Sequence, residues 1–383
     1  MIPSGANIDN QSISKNNNYV VYSCFLYTME KMKKLSSVGH DVVFGSAELI
    51  LANYFKEFPD KRPIIIADEN TFEFCWPKVL GSSDKLNEAE IIQLESGEEH
   101  KNLEVCTQVW MALSEMKLSR NDVIINLGGG VITDLGGFVA NTFKRGVSFI
   151  QVPTSLLAMV DASVGGKVGV DLAGLKNLVG NFATPELVII DVDFLDSLPL
   201  KQLKCGYAEV LKHGLISDKS YWAEAIADEE ITLDKVKQLV YRSVDIKNSI
   251  VVNDFTEQGD RKKLNFGHTI GHALETHFLG SEQPLLHGEA VAIGMIVESW
   301  LSAEAGFIGQ DEFKALRDQL LKWYTVPQVS SDVYPELLES MRNDKKNIGG
   351  KINFTFLDAI GTARINQTAT EEKILEALDS LNV

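Results

Sequence analysis

The chain has 383 residues, 45% of them apolar and 23% charged, and a formal charge of −17. That length exceeds one ordinary core and predicts two domains, and no apolar run reaches the 18 or so residues that span a bilayer. The acidity argues against nucleic acid or an anionic membrane as partner, because phosphate groups are held by basic surfaces.

Residues 1–31 stand apart. MIPSGANIDNQSISKNNNY is polar and aperiodic, and the apolar run VVYSCFLYTM that follows lacks the basic leader and small-residue cleavage site of a secretory signal. Met29 and Met32 are alternative starts, and the segment reads as a flexible or non-native leader. From Val42 the pattern becomes regular. PIIIADEN (63–70) and DVIINLGGG (122–130) are apolar runs ending in turn residues, as in strands buried on both faces, with a helical stretch around 103–118 between them. VSFIQVP (147–153) and ELVIID (186–191) are further strands. The alternation predicts an open, mostly parallel α/β domain over 32–200.

The string GGGVITD follows a strand and opens a helix. Consecutive glycines there let the backbone approach a pyrophosphate, and the helix N-terminus offers it free N–H groups. It is not GxGxxG, and a plain tight turn is the competing reading. A second strand ending in Asp68, Glu69 and Asn70, within reach of a ribose, tips the balance to a nucleotide.

After SLPLKQLKCGYAEV long amphipathic segments dominate: 206–216, 233–252, 265–278, 287–304 and 311–322. Residues 201–383 therefore read as a mainly helical domain, closed by a hairpin over 351–365 and a helix over 371–378. Four of the 7 histidines, His268, His272, His277 and His287, fall between positions 268 and 287. His268 and His272 lie one turn apart on a helix and can aim at one point. With His287 and the carboxylate of Glu209 in GYAEVLKHG they suggest a metal site with a coordination position open to substrate. A solvated helix face gives the same HxxxH spacing. Gly267, Gly271 and Gly288 beside these histidines suit close backbone approach. The four cysteines, Cys24, Cys75, Cys106 and Cys205, are scattered without CxxC, which suits a reducing, cytoplasmic setting.

Positive charge concentrates near the same strings: Lys144, Arg145, Lys167, Lys176, Lys212, Lys247, Arg261, Lys262, Lys263, Lys345 and Lys346. In an acidic protein this suggests a focused pocket for a small polyanion, a phosphate and a carboxylate together.

Taken together, GGGVITDLGGF, FKRGVSFIQVPTSLLAMVDASVGGKVGV, GLKNLVGNF, GYAEVLKHGLI, NFGHTIGHALE, LLHGEAVAIGM and NDKKN resemble, in order and spacing, the 3-dehydroquinate synthase family of sugar phosphate cyclases. The resemblance runs from about Val42 to the C-terminal end; the leader has no counterpart. It implies an NAD- and zinc- (or cobalt-) dependent homodimer that converts 3-deoxy-D-arabino-heptulosonate 7-phosphate into 3-dehydroquinate and phosphate, on the route to aromatic amino acids. It assigns the metal to Glu209, His268 and His287, and moves His272 to the substrate side. It places Asp161, Lys167, Asn177, Lys212, Lys247, Arg261, Asn265, His272 and one of Lys345 or Lys346 around the substrate, with Arg145 reaching in from a second subunit. It places Asp68, Asn70, Glu98, Lys101, Gly129, Gly130, Asp134, Thr154, Ser155, Lys176 and Ser197 in the NAD site. Ser155 and Ser197 stand where threonine is commoner, and Thr133 replaces a frequent glycine. A metal-dependent polyol dehydrogenase, a sister cyclase and a non-enzymatic NAD-binding scaffold are the competing readings. The basic cluster weighs against the first, since polyols are uncharged.

Overall fold

The computed structural model describes residues 33–81, 83–173, 175–343 and 351–382; the leader, Lys345 and Lys346 lie outside them. The chain opens with a hairpin of β1 (Lys34–Ser36) and β2 (Asp41–Phe44), followed by α1 (Ala47–Glu57). Strands and helices then alternate: β3 (Pro63–Asp68), α2 (Glu69–Phe74), β4 (Glu90–Leu94), α3 (Leu103–Glu115), β5 (Val123–Gly128), α4 (Gly130–Thr142) and β6 (Ser148–Pro153). A second hairpin, β7 (Lys167–Leu172) and β8 (Leu175–Phe182), precedes β9 (Leu187–Ile190). The main sheet runs β1-β2-β9-β6-β5-β3-β4 and is parallel except for β1.

Alternate residues of the central strands enter different cores, as a pleated strand requires. Ile64, Ile66 and Ile124 pack with Cys106, Val109 and Leu113 of α3 and with Ile132, Leu135 and Val139 of α4. Ile65, Ala67, Val123, Ile125 and Leu127 join a larger core that includes α1 and much of the helical half. A sheet covered on both faces explains why its strands read as unbroken apolar runs. The order also sets the site, because β4 lies on one side of β3 and β5 on the other. The carboxyl ends of β3 and β5 thus flank a topological switch point, where open α/β sheets bind ligands.

The remainder is mainly helical: α5 (Leu200–Ser217), α6 (Lys219–Ala225), α7 (Leu233–Asn253), α8 (His268–Phe278), α9 (His287–Glu304), α10 (Gln310–Leu321) and α11 (Tyr334–Arg342). A hairpin of β10 (Phe354–Ala359) and β11 (Thr362–Gln367) and then α12 (Glu371–Asp379) follow. α5 begins six residues before the expected 206, directly after Pro199. α8 begins at His268 rather than 265 because Gly267 has φ +79°, a left-handed turn that no helix interior accommodates. The helices approach closely. A Cβ on Gly294 of α9 would lie 1.9 Å from the Gly267 carbonyl, and one on Gly288 would lie 1.9 Å from the Cys205 carbonyl of α5.

Candidate active site

Three helices bring Glu209, His268 and His287 together, their ligand atoms all within 4.8 Å of one another. α5 supplies a fully buried Glu209, α8 begins with His268 and α9 with His287. Glu298, buried on α9, accepts from the N–H groups of Gly267 (2.8 Å) and Thr269 (3.2 Å) and so fixes the start of α8. Glu209 Oε1 lies 3.7 Å from Nε2 of both histidines. That is too long for a hydrogen bond but close to the roughly 3.3 Å between donors that each sit ~2.0 Å from one tetrahedral zinc. Among the described residues neither Glu209 oxygen finds a well-oriented hydrogen-bond donor, although the Lys212 ammonium pairs with Oε2. A buried carboxylate oxygen facing two imidazoles fits a divalent cation.

His272, one turn along α8, has its ring centroid 5.2 Å from that of His268 and 5.9 Å from that of His287. His272, Glu275 and His287 could themselves form a ligand set. Both Glu275 oxygens are engaged, however: Oε2 with His287 Nδ1 at 3.3 Å and Oε1 with Lys176 Nζ at 2.6 Å. Glu275 therefore orients His287 by its far nitrogen and leaves Nε2 turned to Glu209. Burial lowers the His287 pKa, but the Glu275 and Glu209 carboxylates outweigh it and push it up to about 10. The pocket attracts positive charge.

Beside this cluster lie three buried cations, Lys212, Lys247 and Arg261. Lys247 donates to the Asp161 carbonyl and carboxylate, both at 2.5 Å. Asp161 sits in a π-helical turn (Ala158–Ala162), a local underwinding common at functional sites. Burial raises its pKa, yet Lys247 and Lys212 hold it well below the usual carboxylate range. Arg261 Nη1 donates to the Phe255 carbonyl at 2.5 Å, while its buried Nε has no partner among the described residues. Lys167 pairs with Glu257, whose other oxygen accepts from Asn265 Nδ2 at 2.6 Å. Asn177 is exposed on β8, beside Lys176, and its N–H donates to the Asp171 carboxylate. His213 next to Lys212 is buried, bonded to Ser243 Oγ at 2.8 Å, and brought down to about 3 chiefly by burial.

The glycine turn lies at the switch point. Gly129 and Gly130 open α4 with no side-chain cap, which leaves their N–H groups available. Thr154 N bonds to the Gly128 carbonyl, which brings Thr154 and Ser155 alongside. Asp134 in α4 pairs with Lys101 at 2.7 Å, and Lys101 with Glu98 at 3.7 Å. Asp68 ends β3 and caps α2, accepting from Thr71 N at 2.8 Å; Asn70 is exposed on the first turn of α2. Glu69 is tied instead to Ser96. Ser197 lies after β9 with its hydroxyl on the Phe194 carbonyl. Arg145 is exposed beyond the far end of α4, roughly 20 Å from the glycine turn by helix length. Glu275, Glu257 and Glu298 escaped the sequence reading. A carboxylate one helical turn beyond His272 was the available signal for the first.

The family models for 3-dehydroquinate synthase match this chain over residues 91–205 (N-terminal) and 206–347 (C-terminal). A 3-dehydroquinate synthase of Parabacteroides distasonis is 43% identical over 331 residues, 86% of this chain and 94% of that protein. The chain belongs to the 3-dehydroquinate synthase family. A Clostridium beijerinckii 3-dehydroquinate synthase is 39% identical over 82% of this chain and 91% of its own length. Among solved structures, 2-epi-5-epi-valiolone synthase of Streptomyces hygroscopicus subsp. jinggangensis, with NAD+ and Zn2+ bound, superposes with a TM-score of 0.80 at 24% identity, covering 91% of this chain and 98% of that one. Glycerol dehydrogenase of Schizosaccharomyces pombe reaches 0.61 at 15% identity, covering 91% and 90%. These likenesses carry the fold, so cyclases and dehydrogenases share it. Membership of the 3-dehydroquinate synthase family makes this chain an enzyme of that class.

Proposed function

We propose that this enzyme converts 3-deoxy-D-arabino-heptulosonate 7-phosphate into 3-dehydroquinate and phosphate with no net redox change, using NAD and a zinc or cobalt ion. The observation that carries this reading is the burial of Lys212, Lys247 and Arg261 beside the Glu209, His268 and His287 set. Burying a cation is costly unless an anion joins it; Lys212 and Lys247 have Glu209 and Asp161, whereas Arg261 has the Phe255 carbonyl, and its Nε, without a partner among the described residues, is a donor for a substrate anion. A dehydrogenase acting on an uncharged polyol has no use for that charge.

When bound, NAD supplies a hydride acceptor and the metal a Lewis acid at the hydroxyl being oxidised. Glu209, His268 and His287 are the metal ligands in this reading, and Glu275 orients His287. Lys212, Lys247 and Arg261 hold the substrate's carboxylate and phosphate. Lys167 and Asn265, now shared with Glu257, turn to the substrate when its anionic group replaces that carboxylate. Asn177, His272 and one of Lys345 or Lys346 complete the pocket. Asp161 is kept ionised by its lysines and so accepts hydrogen bonds. Such positioning accounts for several kcal/mol of barrier, on the order of 7 or more in favourable cases. The Gly129–Gly130 turn receives the dinucleotide pyrophosphate, with Asp68, Asn70, Glu98, Lys101, Asp134, Thr154, Ser155, Lys176 and Ser197 around it.

Residues 32–200 form the NAD unit and 201–383 the metal and substrate unit in this reading. Leu172, Leu175, Leu178 and Phe182 stand exposed on the β7–β8 hairpin, which supports a homodimer built there and an Arg145 contributed by the second subunit. Cys75, Cys106 and Cys205 are buried thiols outside any disulfide, which suits the cytoplasm. Among the described residues no helix is long and apolar enough to cross a membrane.

The test is phosphate release from the heptulosonate phosphate with catalytic NAD, followed together with NADH absorbance. Stoichiometric phosphate without lasting NADH is expected. Absence of phosphate points to a sister cyclase, and NADH that grows with turnover to a dehydrogenase.

A further inference from the structure

A ladder of alternating charge runs from the metal cluster to the glycine turn. His287 Nδ1 meets Glu275 Oε2 at 3.3 Å, Glu275 Oε1 meets Lys176 at 2.6 Å, and Lys176 meets Glu98 at 3.4 Å. Glu98 meets Lys101 at 3.7 Å, and Lys101 meets Asp134 at 2.7 Å. The ladder's six residues come from five parts of the fold: α9, α8, the β7–β8 hairpin, the turn before α3 (both Glu98 and Lys101), and α4. Glu275 and Lys101 are almost wholly buried. The backbone reinforces the upper rungs, since Asp171 on β7 donates its N–H to the Lys101 carbonyl at 2.8 Å and its carboxylate accepts from Asn177 N on β8.

We propose that Glu275 is a positioning residue that couples metal loading to NAD binding through Lys176. The inference rests on the reading of the two sites given above. Its physical basis is competition for one carboxylate. A metal on Nε2 fixes the His287 ring, so that Nδ1–H donates steadily to Glu275. Glu275 then shares its charge between His287 and Lys176, and the Lys176 ammonium is released toward Glu98 and the anionic dinucleotide. Without the metal the His287 ring keeps its place between Glu209 and Glu275 but lacks a divalent charge behind it, so Glu275 leans more on Lys176 and less of that ammonium's charge reaches the NAD site. Linkage makes the effect reciprocal: NAD must tighten metal binding by the same factor that the metal tightens NAD.

The experiment measures the NAD dissociation constant of the full-length protein by titration calorimetry, once zinc-loaded and once after chelation, and the zinc affinity with and without NAD by competition with a chelating dye. Wild type is expected to bind NAD about tenfold more tightly when zinc-loaded, with the same factor on zinc. Glu275→Gln keeps an oxygen for His287 and removes the charge that holds Lys176. In that variant the two NAD constants should agree within about twofold while both ligands still bind. Lys176→Gln should lose the coupling in the same way and leave zinc affinity near the wild-type value without NAD, which separates the ladder from a general loss of structure. Equal NAD constants for wild type with and without zinc, or full coupling retained in Glu275→Gln, overturns the proposal. If coupling is absent while phosphate release proceeds, the ladder fails and the functional reading stands. If wild type binds no NAD in either state, the functional reading falls and takes the coupling with it.

Discussion

The cluster around Glu209 is assembled from side chains on three helices whose backbones nearly touch, whereas the turn at the end of β5 offers the backbone N–H groups of an uncapped helix start. In the first, position comes from packing: Gly288 and Gly294 leave no space for a methyl group, and Glu298 ties down the first turn of α8. In the second, position comes from topology, since Gly129 follows β5 wherever the sheet places it and needs no side-chain support. A site made of imidazole and carboxylate must resist rearrangement, because its ligands need fixed directions. A pyrophosphate cradle needs only a helix start and space in front of it. Damage to the two regions should therefore look different.

The largest effect is expected from His287→Ala. Removing one of three proposed ligands should abolish bound metal and lower activity by more than about a hundredfold, the range that even outer partners of a ligand reach. NAD binding in the metal-free state should persist. Metal content by atomic emission and the circular dichroism spectrum check this; full activity with a normal spectrum would remove His287 from the metal.

Gly294→Ala tests the packing argument directly. A Cβ there would lie 1.9 Å from the Gly267 carbonyl, so α8 and α9 must separate. Overpacking of this severity should cost about 3 kcal/mol in urea unfolding and weaken metal retention, though no catalytic group is altered. A stability equal to wild type would mean that the helices approach less closely than described.

Lys167 offers a pH test of the anion pocket. Although its side chain is 48% exposed, the protein packed around its ammonium, with Arg261 and Lys247, outweighs the Glu257 carboxylate and brings its pKa down to about 8. A charged Lys167 attracts the substrate's anionic group, so this contribution is complete below about pH 8 and fades as pH rises through it. KM for the substrate should climb by up to about tenfold per unit above that point while kcat changes less. Lys167→Arg should move the break to higher pH.

How much of this was legible in the sequence followed from what each feature depends on. His268, His287 and Glu209 could be found because histidines are scarce and their neighbouring glycines are out of place in helices. The strands β3, β5, β6 and β9 were legible as apolar runs. The β7–β8 hairpin was not assigned, because GGKVGVDLAGLKNLVGNF interrupts any alternation with glycines and leaves leucines exposed. Glu275, Glu257 and Glu298 were invisible for a different reason. Each is a single acidic residue on a helix or turn, which normally signals a solvated surface, and its partners come from segments distant in sequence. Glu275 meets Lys176 across 99 positions. Only the fold creates that pair, although Lys176 itself had been singled out.

The smallest effect belongs to Gly129→Ala, and it separates the two regions most cleanly. Gly129 has φ −72°, open to any residue, and an added Cβ would meet only Ser155, with Oγ at 3.4 Å. Stability should change by less than about 1 kcal/mol, the scale of an N-cap exchange. The methyl group would stand where the pyrophosphate approaches the turn, so the NAD dissociation constant should rise by about tenfold, equivalent to ~1.4 kcal/mol. At saturating NAD, activity and metal content should match wild type, which Gly294→Ala cannot achieve. An unchanged NAD constant in calorimetry would show that the dinucleotide does not rest on this turn, and the crevice at β3 and β5 would lose its assigned role.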